Sequence, residues 1–386
     1  MQYLFVFGRN PLLSELELAC YLEKNSVEIK NHSLKENLFL LETQKEIDAE
    51  KAIKELGGTI AIGRVLCSGK TQEILEFIRD NNVDFSDSMK FSYSIIGHKS
   101  ENIAAALKAK FKKDRVKAMF SPLRGSIELQ AGKSIKGSPS KLSGFDSVFF
   151  FFSGEKNFFG IIESVFDSKA SEKKDMERPV RRQKLAISPK LAKILVNLSG
   201  AREEETLLDP FCGIGVVLQE ALLQNINVIG IEIEANAVEN CRKNLEWLKQ
   251  NYDAPGNYQI LNADSKKALV PAFDAIATEP SLGKLLRDVP LKKDAVLMAI
   301  EFENLLADVL NNLKKGLKKN GRIAFTSPLI KSDKGWVSCN IKKICEKTGL
   351  SLFIPKIRIK QPVKDFRQEQ FVGREFFVLE KKDYFK

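Results

Sequence analysis

The chain has 386 residues with 61 Lys and Arg against 50 Asp and Glu, a net charge of +11. That length predicts two or three domains. A 44% hydrophobic and 29% charged composition excludes a largely disordered chain. The start, Met1 to Arg9, lacks a basic segment followed by a long apolar run, so no secretory signal is expected there. No uncharged apolar stretch reaches 18 residues, so no membrane span is expected. The six cysteines are scattered, without CxxC or Cys-His spacing, and only His32 and His98 stand beside them. No disulfide framework and no metal site is expected, and a cytoplasmic location follows.

In chain order, residues 1 to 167 mix short strands (Tyr3 to Phe7, Phe91 to Ile95) with helices (Leu13 to Leu22, Asn102 to Phe111). Ser147 to Ile162 reads as a hairpin with a glycine-containing turn. Its four consecutive phenylalanines, Phe149 to Phe152, predict a central strand buried on both faces. From Asp167 to Lys184 the chain has almost no apolar residues, and it is expected to be an exposed connector. Ser188 then caps a helix from Pro189 to Leu198. Beyond it strands alternate with helices: strands at 206–209, 227–232, 259–264, 273–279 and 322–326, helices at 216–224, 236–247 and 300–317. Such alternation predicts an α/β domain with a parallel sheet covered on both faces.

Charge is unevenly distributed. Residues 1–60 carry −3, 61–184 carry +8, 185–312 carry −6 and 313–386 carry +12. Solvated helix faces explain much of this, but two basic regions flanking an acidic one also suit a polyanionic partner.

Four signals fall in order at the carboxyl ends of predicted strands. Asp209-Pro210-Phe211-Cys212-Gly213-Ile214-Gly215 is a strand end and a tight turn in which Gly213 and Gly215 let a ligand approach the backbone. A nicotinamide fingerprint would need a third glycine, where Leu218 stands. Glu232, ending the next strand, suits a ribose diol. Asp264, ending the third, suits an adenine amine, and Glu279-Pro280-Ser281-Leu282-Gly283 places an acid and a rigid turn at the mouth of the sheet. Taken singly, each also reads as a helix cap or solvated strand end. Together they point to a nucleoside-bearing ligand at the switch point of the sheet.

With Leu185 to Leu198, Gly230 to Glu234, Asn244-Leu245, Asn262 to Asp264 and Thr278 to Gly283, these stretches resemble the class I S-adenosylmethionine-dependent methyltransferases. The likeness is strongest to the THUMP-containing, archaeal-type tRNA guanosine-10 N2-methyltransferases, also through Phe7 to Ser14 and Lys174 to Pro179. The resemblance implies a Rossmann-like catalytic domain at 187–386 with a seven-stranded, mostly parallel sheet. Before it come a ferredoxin-like α+β domain at 1–60, a THUMP-like RNA-binding domain at 61–167 and a basic linker at 168–186. S-adenosylmethionine would be held by Ser188, Asp209, Phe211, Gly213, Gly215, Glu232, Ile233 and Asp264. Glu279, Pro280, Ser281 and Leu282 would hold the target amine, and tRNA would meet the cluster Lys112, Lys113, Arg115, Arg178, Arg181 and Arg182. The family turn reads Asp-Pro-Pro-Tyr; here Glu279 replaces its acid, Ser281 its second proline and Leu282 its stacking ring. Two other readings stay open: a tRNA-binding homologue with impaired turnover, and an amino-methyltransferase acting on adenine or DNA. No membrane or metal partner is implied, and the oligomeric state is left open, a monomer being plausible.

Overall fold

The computed structural model describes residues 1–381 apart from 84–89, 98–99, 124–125, 129–133, 137–141, 155, 182–186 and 284–285. The chain divides into two compact units, one made of 1–11, 27–54 and 59–167, the other of 12–26, 55–58 and 168–386.

The first unit begins with strands β1 (Gln2–Phe7), β2 (Ile29–Lys35), β3 (Leu38–Thr43) and β4 (Thr59–Gly69). It continues through β5 (Lys90–Ile96), β6 (Lys117–Phe120), the short pair β7 (Ser126–Glu128) and β8 (Ser134–Lys136), then β9 (Ser147–Phe152) and β10 (Asn157–Val165). Eight of these form one sheet in the order β2-β3-β1-β4-β10-β9-β5-β6. Helices α1 (Pro11–Lys24) and α2 (Ala49–Glu55) interrupt its first four strands, giving the split βαββαβ order, while α3 (Thr71–Asp80) and α4 (Glu101–Lys113) accompany the rest. The expected domain boundary falls at residue 60. Strand β4 crosses it, pairing with β1 on one edge and β10 on the other, so both halves share one hydrogen-bonded sheet. The phenylalanine run does form a central strand: β9 lies between β10 and β5, and Phe149, Phe150 and Phe151 are buried. Phe149 stacks on Phe159 with ring centroids 5.8 Å apart.

The second unit is a parallel sheet with helices on both faces. Its strands are β11 (Thr206–Asp209), β12 (Asn227–Glu232), β13 (Tyr258–Asn262), β14 (Ala275–Thr278), β15 (Arg322–Ser332), β16 (Gly335–Val337), β17 (Ser351–Leu352), β18 (Val363–Asp365) and β19 (Val372–Glu380). Seven run along the main path, in the order β13-β12-β11-β14-β15-β19-β17. The pairs from β13 to β15 are parallel, and β19 is antiparallel to its neighbours. Two strands beyond the expected seven, β16 and β18, attach to β15 and β19. The order reverses at β11 and β14, where the loops after two neighbouring strands diverge and leave a crevice.

Helices α6 (Pro189–Ser199), α7 (Val216–Leu222), α8 (Ala235–Asn251), α9 (Lys292–Leu313) and α10 (Ile341–Thr348) cover this sheet. Residues 12–26, the body of α1, belong to the same unit, although the sequence places them in the first domain. The reason is chemical. Glu17, fully buried on α1, accepts from the amides of Gly57 and Gly58 at 2.7 and 2.8 Å and from Asn197 Nδ2 at 2.7 Å. The expected open connector also contains structure, since α5 (Ser168–Glu177) is a helix with no buried residues. Lys174 on α5 pairs at 2.8 Å with the buried carboxylate of Glu220 on α7.

Candidate active site

A cavity of about 730 Å³ opens at the carboxyl ends of β11, β12 and β14. Asp209 ends β11 and lines it while only 1% exposed. Its Oδ1 accepts from Thr278 Oγ1 at 2.6 Å and from the Phe211 amide at 3.1 Å. Burial outweighs these bonds and lifts its pKa to about 7.

After Asp209 the chain reverses through two glycines with positive φ, +54° at Gly213 and +85° at Gly215. They do different jobs. A Cβ at Gly213 would meet nothing within 4 Å and would stand at the cavity wall. A Cβ at Gly215 would lie 2.7 Å from Cys241 Sγ, so this glycine lets the turn close on α8. Cys212 is buried beside Cys241, and that hydrogen bond and its burial push its thiol pKa far up.

Glu232, ending β12, is held by its neighbours. Oε2 accepts from the Gly213 amide at 3.0 Å and Oε1 from the Glu234 amide at 2.9 Å, which ties the ribose-type carboxylate to the glycine turn. Asn262 at the end of β13 donates to the carbonyls of Glu232 and Ile233, each at 3.0 Å. Ile233 is 67% exposed at the cavity, an apolar face beside a polar anchor. Asn244 on α8 clamps two segments: it exchanges bonds with the backbone of Val180 at 2.9 and 3.1 Å and donates to the Ile214 carbonyl at 2.9 Å.

Three expected cofactor residues do not line the cavity. Ser188 caps α6, accepting from the Leu191 amide. Gly215 packs against α8. Asp264 accepts from the Lys266 amide at 2.9 Å through Oδ1.

Glu279, Pro280, Ser281 and Leu282 all line the cavity. The Glu279 carboxylate is gripped in a way the sequence did not announce. Arg374 donates from Nε to Oε2 at 2.6 Å and from Nη2 to Oε1 at 3.0 Å, and Thr326 Oγ1 reaches Oε2 at 3.2 Å. Burial opposes the Arg374 charge, but the Glu279 carboxylate more than offsets it, so its pKa lies above the usual arginine value. Arg374, with Gln370, Phe371 and Val372, forms a wall contributed by the start of β19 and the two residues before it. The available signal was a charged pair, Arg374-Glu375, inside an otherwise apolar strand.

Of the expected RNA-contact residues, Lys112, Lys113 and Arg115 are exposed at the end of α4. Arg178 is not: it is 8% exposed and donates to Asp175 at 2.7 Å, a buried ion pair in place of the surface charge expected. Arg181 is partly exposed, 4.0 Å from Asp175, and Arg182 lies outside the described residues.

A family model described as "RMKL-like, methyltransferase domain" matches residues 178–328, and one described as "DNA methylase" matches 62–243. The crystal structure of TrmN from Thermus thermophilus superposes with a TM-score of 0.50 at 15% identity, covering 99% of this chain and 100% of that one, which shows a shared fold. A tRNA (guanine(10)-N2)-dimethyltransferase of Pyrococcus abyssi is 27% identical over 288 residues, 73% of this chain and 78% of that protein. A probable tRNA (guanine(10)-N2)-dimethyltransferase of Methanothermococcus thermolithotrophicus is 30% identical over 142 residues, 36% of this chain and 79% of that protein. The chain belongs to this methyltransferase family.

Its methyl donor is S-adenosylmethionine, and the residues at the cavity fit that group. Gly213 leaves the wall without a Cβ, Glu232 is preset for a diol, Ile233 offers an apolar face to a purine, and Asp209 Oδ2 has no hydrogen-bond partner among the described residues. When bound, S-adenosylmethionine supplies an activated methyl group on a sulfonium.

Proposed function

We propose that this chain methylates the exocyclic N2 amine of a guanosine in tRNA. The observation that carries the reading is the Glu279 carboxylate, held rigidly at the end of β14 on the wall of the cavity that Asp209, Gly213 and Glu232 also line. A carboxylate has about four lone-pair positions. Arg374 and Thr326 take three, two on Oε2 and one on Oε1, and leave an acceptor position on Oε1. An exocyclic amine bonded there is oriented, and its nitrogen lone pair is kept for attack on the methyl carbon. The carboxylate would stabilise the positive charge developing on that nitrogen while the carbon–sulfur bond of the donor breaks to leave a neutral thioether, and the free Oε1 position would take the N–H proton that the methylated amine sheds. Leu282 and Pro280 supply apolar surface that keeps water from the reacting atoms.

The names of the relatives support tRNA and the guanine N2 atom as the target. In this reading residues 61–167 act as a THUMP-like RNA-binding module, with Lys112, Lys113 and Arg115 among the phosphate contacts and Arg181 and Arg182 added from the connector. The base would be taken out of its stack to reach the cavity. No helix among the described residues is long and apolar enough to cross a membrane. With a tRNA substrate and free cysteines among the described residues, we place the enzyme in the cytoplasm.

The DNA methylase match favours a second reading, transfer to an amine on DNA, but it ends at residue 243, before the Glu279 turn. Incubation with labelled S-adenosylmethionine and either bulk unmodified tRNA or duplex DNA, followed by mass spectrometry of the nucleosides, separates the two. N2-methylated guanosine from tRNA is the expected product. Label on DNA alone would replace this reading with the second, and binding of tRNA and cofactor without transfer would leave a tRNA-binding protein.

A further inference from the structure

Arg374 does more than hold a carboxylate. Its guanidinium carries five N–H donors in a planar fork. Nε and one Nη2 hydrogen are committed to Glu279, and Nη1 has no partner among the described residues. The side chain is 20% exposed and lines the cavity, and Nη1 is not among the buried polar atoms left without a partner, so it is accessible. Asp365, paired with Arg374 across the β18–β19 ladder, adds a second negative charge that keeps the guanidinium in place. One wall of the cavity therefore presents an acceptor, Glu279 Oε1, and a donor-only group beside it.

We infer that Arg374 is the residue that selects the target base, donating from its free edge to the purine O6 while its other edge fixes Glu279 on the C2 amine. The inference rests on the N2-guanosine reading above. Guanine carries its C2 amine and its O6 acceptor at the two ends of its Watson–Crick edge, with the N1 hydrogen between them. A purine held by its C2 amine but lacking O6 leaves the free Arg374 edge without that acceptor. The same side chain thus serves position and choice. A lysine would keep the charge but could not grip Glu279 in the bidentate fork that frees Nη1.

The test uses the full chain, S-adenosylmethionine and a tRNA assembled with either guanosine or 2-aminopurine at the position the wild-type enzyme methylates. 2-Aminopurine keeps the C2 amine and lacks O6. The wild type is expected to favour guanosine on the order of 10- to 100-fold in kcat/KM. In Arg374→Met that ratio should collapse toward one, with Arg374→Lys between. Because 2-aminopurine also lacks the N1 hydrogen, it is the collapse that supports the inference. Calorimetric binding of S-adenosylmethionine confirms that each variant is folded, and Arg374→Lys carries the test if Arg374→Met does not fold. Equal use of both bases by the wild type, or a preference unchanged in the variants, overturns the inference while guanosine remains the product. A methylated nucleoside other than guanosine overturns the reading beneath it.

Discussion

At residue 279 the replacement of the family's aspartate by glutamate moves the carboxylate outward by a methylene, a displacement of roughly an ångström that catalysis normally feels. The fork from Arg374 offsets that freedom by fixing both oxygens. Glu279→Ala should therefore lower transfer on the order of 100-fold or more while S-adenosylmethionine affinity, measured by calorimetry, changes little. Turnover near the wild-type rate would remove Glu279 from the reaction. Asp209 yields a second prediction. Its pKa is raised from 3.8 to about 7 by burial, so between these values the folded chain binds a proton that the unfolded chain has released. The stabilisation is complete below the unfolded value and is lost as pH rises through about 7. Asp209→Asn carries no such proton, so the stability of the wild type relative to the variant should fall by on the order of a few kcal/mol between pH 4 and pH 8. Urea unfolding across that range measures it, and parallel profiles would contradict it.

At the scale of elements, the glycine turn between β11 and α7 separates two roles that the sequence could only pool. Gly215→Ala meets both a positive φ and the Cys241 sulfur, so it should cost about 1 to 3 kcal/mol of stability in chemical unfolding. Gly213→Ala meets only the positive φ and should cost less stability, yet its methyl group stands at the cavity wall and should weaken S-adenosylmethionine binding. Equal destabilisation by the two substitutions would show that the turn relaxes away from Cys241. The strands of the second unit, from Thr206 to Thr326, were legible because a parallel sheet covered on both faces is written as short apolar runs ending in polar turn residues. The place of Glu279 just after a strand end was legible for the same reason. Arg374 was not: β19 is far away in sequence, and only the antiparallel register that sets Arg374 opposite Pro328 and Phe376 opposite Thr326 brings it to Glu279. For Asp264 the spacing alone could not choose, because strand-end acids that cap a turn and those that meet a ligand share it, and its Oδ1 accepts from the Lys266 amide. Nothing local in Leu13 to Leu22 reveals that Glu17 finds its partners 40 and 180 residues away.

For the whole molecule, the +11 net charge matters through where it is exposed. Arg178 shows that a basic residue in a basic stretch can be spent on an internal pair with Asp175. At the end of α4, Lys110 is likewise paired with Asp114 at 3.0 Å. Lys112, Lys113 and Arg115 remain exposed, and Met119 and Phe120 on the edge strand β6 are 61% and 42% exposed nearby in sequence. Cations interleaved with exposed apolar and aromatic side chains suit a nucleic acid, where phosphates meet the charges and an unpaired base meets the ring. Lysines in the last turn of a helix also complement its dipole, which would explain their presence without any partner. Salt dependence distinguishes the two. Replacing Lys112, Lys113 and Arg115 together with Glu should weaken tRNA binding and flatten the slope of log affinity against log salt by about one unit for each phosphate no longer neutralised. A dipole role predicts a change in thermal unfolding with the salt slope intact. The measurement is filter binding of one tRNA over a series of salt concentrations, and an unchanged slope would take this end of α4 out of the RNA footprint.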